Sequence, residues 1–180
     1  IWRILAHYKK ESFHFENNKQ NKWKTNMSLQ EITHKNILFI GTGNIAMETA
    51  KRLNAFDAHI IGLNRTGNEV PFFNETGSIS DLTKYASFAD IIILALPLTS
   101  ETKNLLGPSF FKCLKSSAYF INIARGPIVN EAALLEALSN NLFSGCSLDV
   151  FETEPLPETH PFWNHPKIFV SPHNSWVSEY

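Results

Sequence analysis

A five-residue apolar run, broken at once by two glycines and followed by a helical pattern, constrains this chain more than any other segment. In Asn36-Ile-Leu-Phe-Ile-Gly-Thr-Gly-Asn-Ile-Ala46 the stretch Asn36–Ile40 suits a buried strand. Gly41 and Gly43 interrupt it, and Asn44 to Phe56 spaces Ile45, Thr49, Arg52/Leu53 and Phe56 as a helix would. Strand, glycine turn and helix in that order form a phosphate trap. Gly41 permits the tight turn and Gly43 lets the backbone come close to a pyrophosphate. Asn44 and Ile45 open a helix whose unpaired N–H groups and positive dipole end attract an anion. Ala46 takes the third small position, where the helix must pack closely on the strand. Such a glycine pattern also marks ordinary turns, so its meaning depends on the rest of the chain.

The rest alternates. Ile1 to about Lys10 carries helical apolar spacing, and Glu11–Lys24 is a polar stretch that reads as a loop anchored by Trp23. Ala58–Asn64, Asp90–Leu96, Ser117–Ala124, Gly145–Phe151 and Lys167–Ser171 read as strands. The unbroken Ile/Leu run before Pro97 suits a parallel strand covered on both faces. Between the strands, Ser80–Phe88 and a segment starting at Pro108 read as short helices. Asn130–Leu142 reads as a longer one, capped by Asn130, with Ala132, Leu134, Leu135 and Leu138 as its apolar face. This alternation predicts an α/β fold: a doubly wound parallel sheet with right-handed crossovers, that is, a Rossmann-type dinucleotide-binding domain.

Composition narrows the partners. A net charge of -1 argues against a nucleic-acid or membrane surface that works through bulk charge. No apolar run approaches membrane-spanning length. Cys113 and Cys146 fall in apolar segments and read as reduced, buried thiols of a cytoplasmic protein. Six of the seven histidines have no motif around them, and neither they nor the cysteines have metal-ligand spacing, so no metal is expected.

The second strand bears on which dinucleotide is bound. Domains of this type that select NAD place Asp or Glu at its end, to hold the ribose hydroxyls. Here the strand ends Asn64-Arg65-Thr66, with no carboxylate. Arg65 can pair with a 2′-phosphate while Asn64 and Thr66 add hydrogen bonds, or Arg65 can be a solvated loop residue. The expectation is NADP(H), with NAD(H) possible.

Three further segments, in order, complete a recognisable set: Ile121-Asn-Ile-Ala-Arg125-Gly-Pro-Ile-Val-Asn-Glu-Ala-Ala-Leu, Leu148-Asp-Val-Phe-Glu-Thr-Glu154-Pro-Leu-Pro and Val170-Ser-Pro-His173. With the glycine turn and Ala95-Leu-Pro-Leu-Thr-Ser-Glu-Thr102, the chain from Trp23 onward resembles the D-isomer-specific 2-hydroxyacid dehydrogenases. The residues also make chemical sense by themselves. Reducing a 2-oxo acid requires a carboxylate anchor and an acid for the developing alkoxide. Arg125 offers a fixed fork of donors at the carboxyl edge of the sheet. His173 ends a strand and is suited to proton exchange near neutral pH, and Glu154 can orient it and stabilise its charged form. The resemblance implies the same roles: Arg125 binds substrate, Glu154 orients and His173 donates the proton. It further implies that Asp149 faces the nicotinamide carboxamide, and that Leu96, Pro97, Thr102 and the Ile123–Ala124–Arg125 backbone wall the cofactor.

There are departures from the family pattern. Ala46 replaces a usual Gly, Asn130 replaces a usual Asp, Asp57 stands where Gly often ends the first helix, and Trp176 follows His173 closely. Trp176 is expected either to shape the substrate pocket or to pack between domains. The resemblance also divides the chain: residues 1–24 as linking helix and loop, 25–173 as the dinucleotide-binding domain and 174–180 as the start of a second linking segment. The substrate domain is absent from this stretch. The 180 residues alone are then expected to bind cofactor, to turn over poorly and to pair as a homodimer. The activity implied is reduction of a small 2-oxo acid. A nucleotide-sensing module like the transcriptional corepressors that share this fold is the alternative, because they keep the same triad.

Overall fold

The computed structural model describes residues 1–175 and 177; Trp176, with the role expected of it, lies outside the described residues. The run Asn36–Ile40 forms β1, and its side chains at positions 37–40 are wholly buried. A strand that alternates two fully covered faces needs a layer on each side, and both layers are present. Ile37 and Phe39 pack in a cluster with Ile4 and Tyr8 of α1 (Trp2–Tyr8) and with Ala46, Ala50 and Leu53 of α3 (Asn44–Leu53). Leu38 and Ile40 pack in the opposite cluster, which includes α4 (Leu82–Ala86), α5 (Pro108–Lys112) and α6 (Glu131–Ser139).

The other strands are β2 (His59–Asn64), β3 (Glu75–Ser78), β4 (Ile91–Leu94), β5 (Tyr119–Asn122), β6 (Gly145–Leu148) and β7 (Ile168–Val170). They form one sheet in the order β3-β2-β1-β4-β5-β6-β7, parallel throughout. This is the doubly wound sheet expected from the alternation. The chain leaves β1 in opposite lateral directions, to β2 on one side and β4 on the other, so a crevice opens at the carboxyl ends of β1 and β4.

Several local expectations need correction. The polar stretch after Lys10 is a helix, α2 (Glu11–Lys19), which buries none of its residues; Trp23 anchors nothing and is fully exposed. The core face of α3 is Ala46, Ala50 and Leu53, and Ile45 is 64% exposed. Small residues face inward there because the helix lies close to the sheet. In α6, Asn130 caps as expected through its Oδ1, which accepts the Ala133 N–H at 2.9 Å. Its buried face is Ala133, Leu134, Ala137 and Leu138, and Ala132 points to solvent. Asp57 does adopt the left-handed conformation at φ 54 that Gly would supply more cheaply. No helix among the described residues is long and apolar enough to cross a membrane.

Candidate active site

Every motif singled out in the sequence leaves the carboxyl end of a strand. After β1, Gly41 takes φ +105, and a Cβ there would sit 2.5 Å from the Ala95 carbonyl oxygen, so only glycine fits where the turn crosses β4. Gly43 is the N-cap of α3, and no atom lies within 4 Å of where its Cβ would be. The space beside Gly43, at the start of this helix, is thus open to a close-lying phosphate.

After β2, Asn64 organises its own loop. Its Oδ1 accepts the N–H groups of Thr66 (3.0 Å) and Gly67 (2.7 Å), and its Nδ2 donates to the Asn68 carbonyl (2.9 Å). Arg65 stays exposed on that braced loop.

After β4 and β5, a cavity of about 370 Å³ is lined by Ile45, Ala95, Leu96, Pro97, Leu98, Ile123, Ala124 and Arg125. Its apolar wall and single cation fit a flat heteroaromatic ring with its ribose. Six of these eight residues were expected from the sequence; Ala95 and Leu98 were not. The exposure of Ile45 now has a reason, because it forms this wall rather than the core. Thr102 stands one step back. Its hydroxyl donates to the Pro97 carbonyl (2.8 Å) and accepts the Thr99 N–H (2.7 Å), which fixes the Pro97–Thr102 loop. A larger hollow, about 640 Å³, opens between α1, α2 and the amino-terminal ends of β5–β7, away from all of these motifs.

Arg125 is held from below by Asn122, a buried amide at the end of an otherwise apolar strand. Asn122 Oδ1 accepts the Ala124 N–H (3.0 Å) and its Nδ2 donates to the Arg125 carbonyl (3.3 Å). The Arg125 Nη1 folds back to donate to the Ala124 carbonyl at 2.6 Å. Asn122 was not singled out from the sequence, although a polar residue within such a run is itself a signal.

Glu154 and His173 meet. The His173 Nδ1 lies 2.6 Å from Glu154 Oε2, while Glu154 Oε1 accepts the Phe151 N–H at 2.9 Å. Partial burial pushes the Glu154 carboxyl up, but the bonds from His173 and Phe151 and the nearby charge of Arg125 hold it below the ordinary carboxylate value. The three expected residues therefore belong to one electrostatic unit: Arg125 borders the cavity and acts on the same carboxylate that grips the imidazole.

His173 takes φ 49, a conformation that costs a non-glycine residue free energy and persists only when neighbours impose it. Asp149 is among those neighbours. It is 4% exposed, and it accepts from the Ser171 hydroxyl (2.5 Å), the Asn174 N–H (3.2 Å) and the Ser175 N–H (2.9 Å). Burial raises its carboxyl, and these bonds more than offset that, leaving it below its ordinary value. Asp149 thus braces the turn that presents His173. Ser171, its partner, was not anticipated.

A nicotinamide dinucleotide fits these features: an open phosphate seat at Gly43, a braced loop at the end of β2, and a ring-sized cavity beside Arg125. The comparisons agree. Residues 1–175 match the family model described as D-isomer specific 2-hydroxyacid dehydrogenase, NAD binding domain. The glyoxylate reductase of Thermofilum pendens is 37% identical over 144 residues, 79% of this chain and 42% of that protein. The crystal structure of phosphoglycerate dehydrogenase from Lactobacillus plantarum superposes with a TM-score of 0.93 at 32% identity, over 99% of this chain and 58% of that one. The NADPH-dependent glyoxylate/hydroxypyruvate reductase of Sinorhizobium meliloti, solved with NADP and sulfate, gives a TM-score of 0.86 at 29% identity, over 96% of this chain and 55% of that one. The chain spans less than half the length of these curated relatives, between 42% and 49% for the first five. With the sheet, the glycine turn and the Arg–Glu–His unit all in the places that this family model covers, the chain belongs to the D-isomer specific 2-hydroxyacid dehydrogenases, as their NAD-binding domain.

Proposed function

We propose that the protein containing this domain reduces a small 2-oxo acid to a D-2-hydroxy acid, with NADPH as its preferred cofactor and NADH as a second choice. The observation that carries the reading is the Glu154–His173 contact at 2.6 Å, on a carboxylate that also feels Arg125 beside the cavity. Arg125 binds the substrate's carboxylate and carbonyl side through the planar fork of its guanidinium donors. His173, protonated and oriented through Nδ1 by Glu154, presents its other nitrogen to the substrate oxygen and gives up the proton as the alkoxide develops. Bound nicotinamide supplies the hydride. Leu96, Pro97, Ile123 and Ala124 wall the ring, and Thr102 fixes the loop that carries Pro97.

The cofactor preference rests on the end of β2. No carboxylate there repels a 2′-phosphate, and the Asn64-braced loop leaves Arg65 exposed to receive one. The NADP bound to the Sinorhizobium relative and to a 2-hydroxyacid dehydrogenase of Rhizobium etli, 28% identical, supports the same choice. α2, which buries none of its residues, its exposed Phe15 and the exposed Trp23 and Met27 that follow it support pairing with a second copy.

The test is steady-state turnover of glyoxylate, hydroxypyruvate and a branched 2-oxo acid by the full-length protein, with NADPH and NADH in parallel. Turnover with at least one of them, faster at equal concentration with NADPH, is expected. Nucleotide binding with no turnover on any 2-oxo acid would move the protein to the nucleotide-sensing class instead.

A further inference from the structure

The loop 151–160 carries Glu154, yet most of that loop is exposed and it contains no regular secondary structure. A catalytic carboxylate placed there needs an external support, because a misplacement of about 1 Å costs a large part of the rate. The support is on the page. Glu131, the first residue of α6, accepts the Glu152 N–H through Oε1 at 2.8 Å, and its Oε2 lies 3.6 Å from His160 Nε2. One carboxylate therefore holds both ends of the loop. It touches the loop two residues before Glu154, next to the Phe151 N–H that donates to Glu154, and again where the chain enters the turn at Pro161. The Glu131 side chain is only 16% exposed, and His160 is further seated against Phe162, with ring centroids 4.4 Å apart. Glu131 also ends the segment that begins at Arg125, so it joins the substrate-binding and proton-delivering sides.

We propose that Glu131 is a positioning residue for the Glu154–His173 pair, acting through the Glu152 N–H. The inference rests on the reading that this pair delivers the proton. A carboxylate at a helix start could instead serve only the helix dipole, and the two roles separate experimentally. In a neutral Gln the acceptor survives and the charge does not.

The experiment compares Glu131→Ala and Glu131→Gln with wild type in the full-length enzyme, measuring kcat, KM for the 2-oxo acid and Kd for NADPH. Loss of one such hydrogen bond is expected to lower kcat about tenfold in Glu131→Ala, leaving KM and Kd within about twofold of wild type. Glu131→Gln is expected to recover kcat to within about threefold. Should the alanine variant not fold, Glu131→Met, which keeps length and helix propensity without the acceptor, carries the same expectation. Wild-type kcat in the alanine variant overturns the inference. So does a glutamine variant as impaired as alanine, or an NADPH affinity that falls in step with kcat. A wild-type enzyme without turnover on any 2-oxo acid overturns the functional reading, and this inference with it; a competent wild type with an equally competent alanine variant overturns only the inference.

Discussion

Gly126→Ala tests whether the segment bearing Arg125 and the segment bearing Glu154 must touch. A Cβ at position 126 would lie 1.8 Å from the Phe151 carbonyl carbon, 2.0 Å from its oxygen and 2.3 Å from the Glu152 nitrogen. All three are backbone atoms, so no side chain can rotate out of the way. Ordinary contact between such atoms needs about 3.5 Å, and the two segments must therefore separate by roughly 1.5 Å. Arg125 is the residue before the substitution, and the Phe151 N–H holds Glu154, so the separation falls between the proposed substrate anchor and the carboxylate that holds the proposed proton donor. A displacement of this size is expected to lower kcat/KM for the 2-oxo acid by about a hundredfold, equivalent to about 2.7 kcal/mol of barrier. The same overpacking should cost about 1–3 kcal/mol of stability, visible as a lower Tm. NADPH affinity is the control: the proposed phosphate and ribose contacts at Gly41–Ile45 and Asn64–Thr66 leave other strands, only the ring wall at Ile123 and Ala124 lies near the substitution, and Kd should change by less than about fivefold. The assay is steady-state kinetics of the full-length variant, with circular dichroism to verify folding. A folded variant whose kcat/KM stays within about threefold of wild type would refute the claim that these segments must be in contact.

Three shorter predictions concern separate parts of the domain. His7 is stacked on Tyr119 with ring centroids 3.9 Å apart; burial, then the charges of Lys10 and Arg3, bring its pKa down from 6.5 to about 4. Its contribution is therefore present above pH 6.5 and lost as pH falls toward 4, amounting to roughly 3 kcal/mol, so the stability of His7→Phe should fall less than wild type's over that range in urea unfolding. Equal slopes would refute this. Asp149→Asn puts an amide N–H₂ against a donor in the His173 turn and should lower kcat about tenfold. If the turn is what Asp149 serves, NADPH affinity stays unchanged; a parallel loss of affinity assigns it to the nicotinamide instead. Arg65→Ala should weaken NADPH binding at least about tenfold and leave NADH binding unchanged, as read by calorimetric titration; equal effects on both would make Arg65 a surface residue.

The parts of the fold that were legible in the sequence are those where burial leaves an unambiguous mark. β1, β4 and the glycine turn between β1 and α3 show as apolar runs and breaks, because a strand covered on both faces must be apolar at every position. β3 left no such mark: Glu75–Ser78 is an edge strand with only Gly77 buried, and polar residues suffice there. α2 was missed for the same reason, since it buries nothing and so carries no periodic pattern. α3 was found with its inward face only partly read. Ala46 was read as the close-packing position and is buried; of the residues spaced as a helix, Leu53 is buried while Ile45 lines the cavity, and Ala50 went unread because an alanine carries little hydrophobic signal. At the site, distinctive chemistry singled out Arg125, Glu154 and His173 in the sequence, and the structure brings Glu154 against His173 and Arg125 beside the cavity. Asn122 and Glu131 bond backbone groups and Ser171 bonds the Asp149 carboxylate 22 residues away, and such pairings follow from the folded path rather than from residue type.

The strand order described above bears on how such a protein can change. On the function proposed above, cofactor choice is set at the end of β2 and the chemistry at the ends of β5, β6 and β7, which the strand order keeps apart. Three strand spacings separate β2 from β5, about 14 Å, beyond the roughly 10 Å within which substitutions couple. The Asn64–Asn68 loop closes on itself through the Asn64 side chain. A lineage, or an engineer, can thus rewrite residues 64–66 to switch nucleotide without retuning the proton donor, and the free-energy effects of the two sets of changes should simply add. The domain is in this sense two independent dials on one sheet, one selecting the reductant and the other carrying out the reduction.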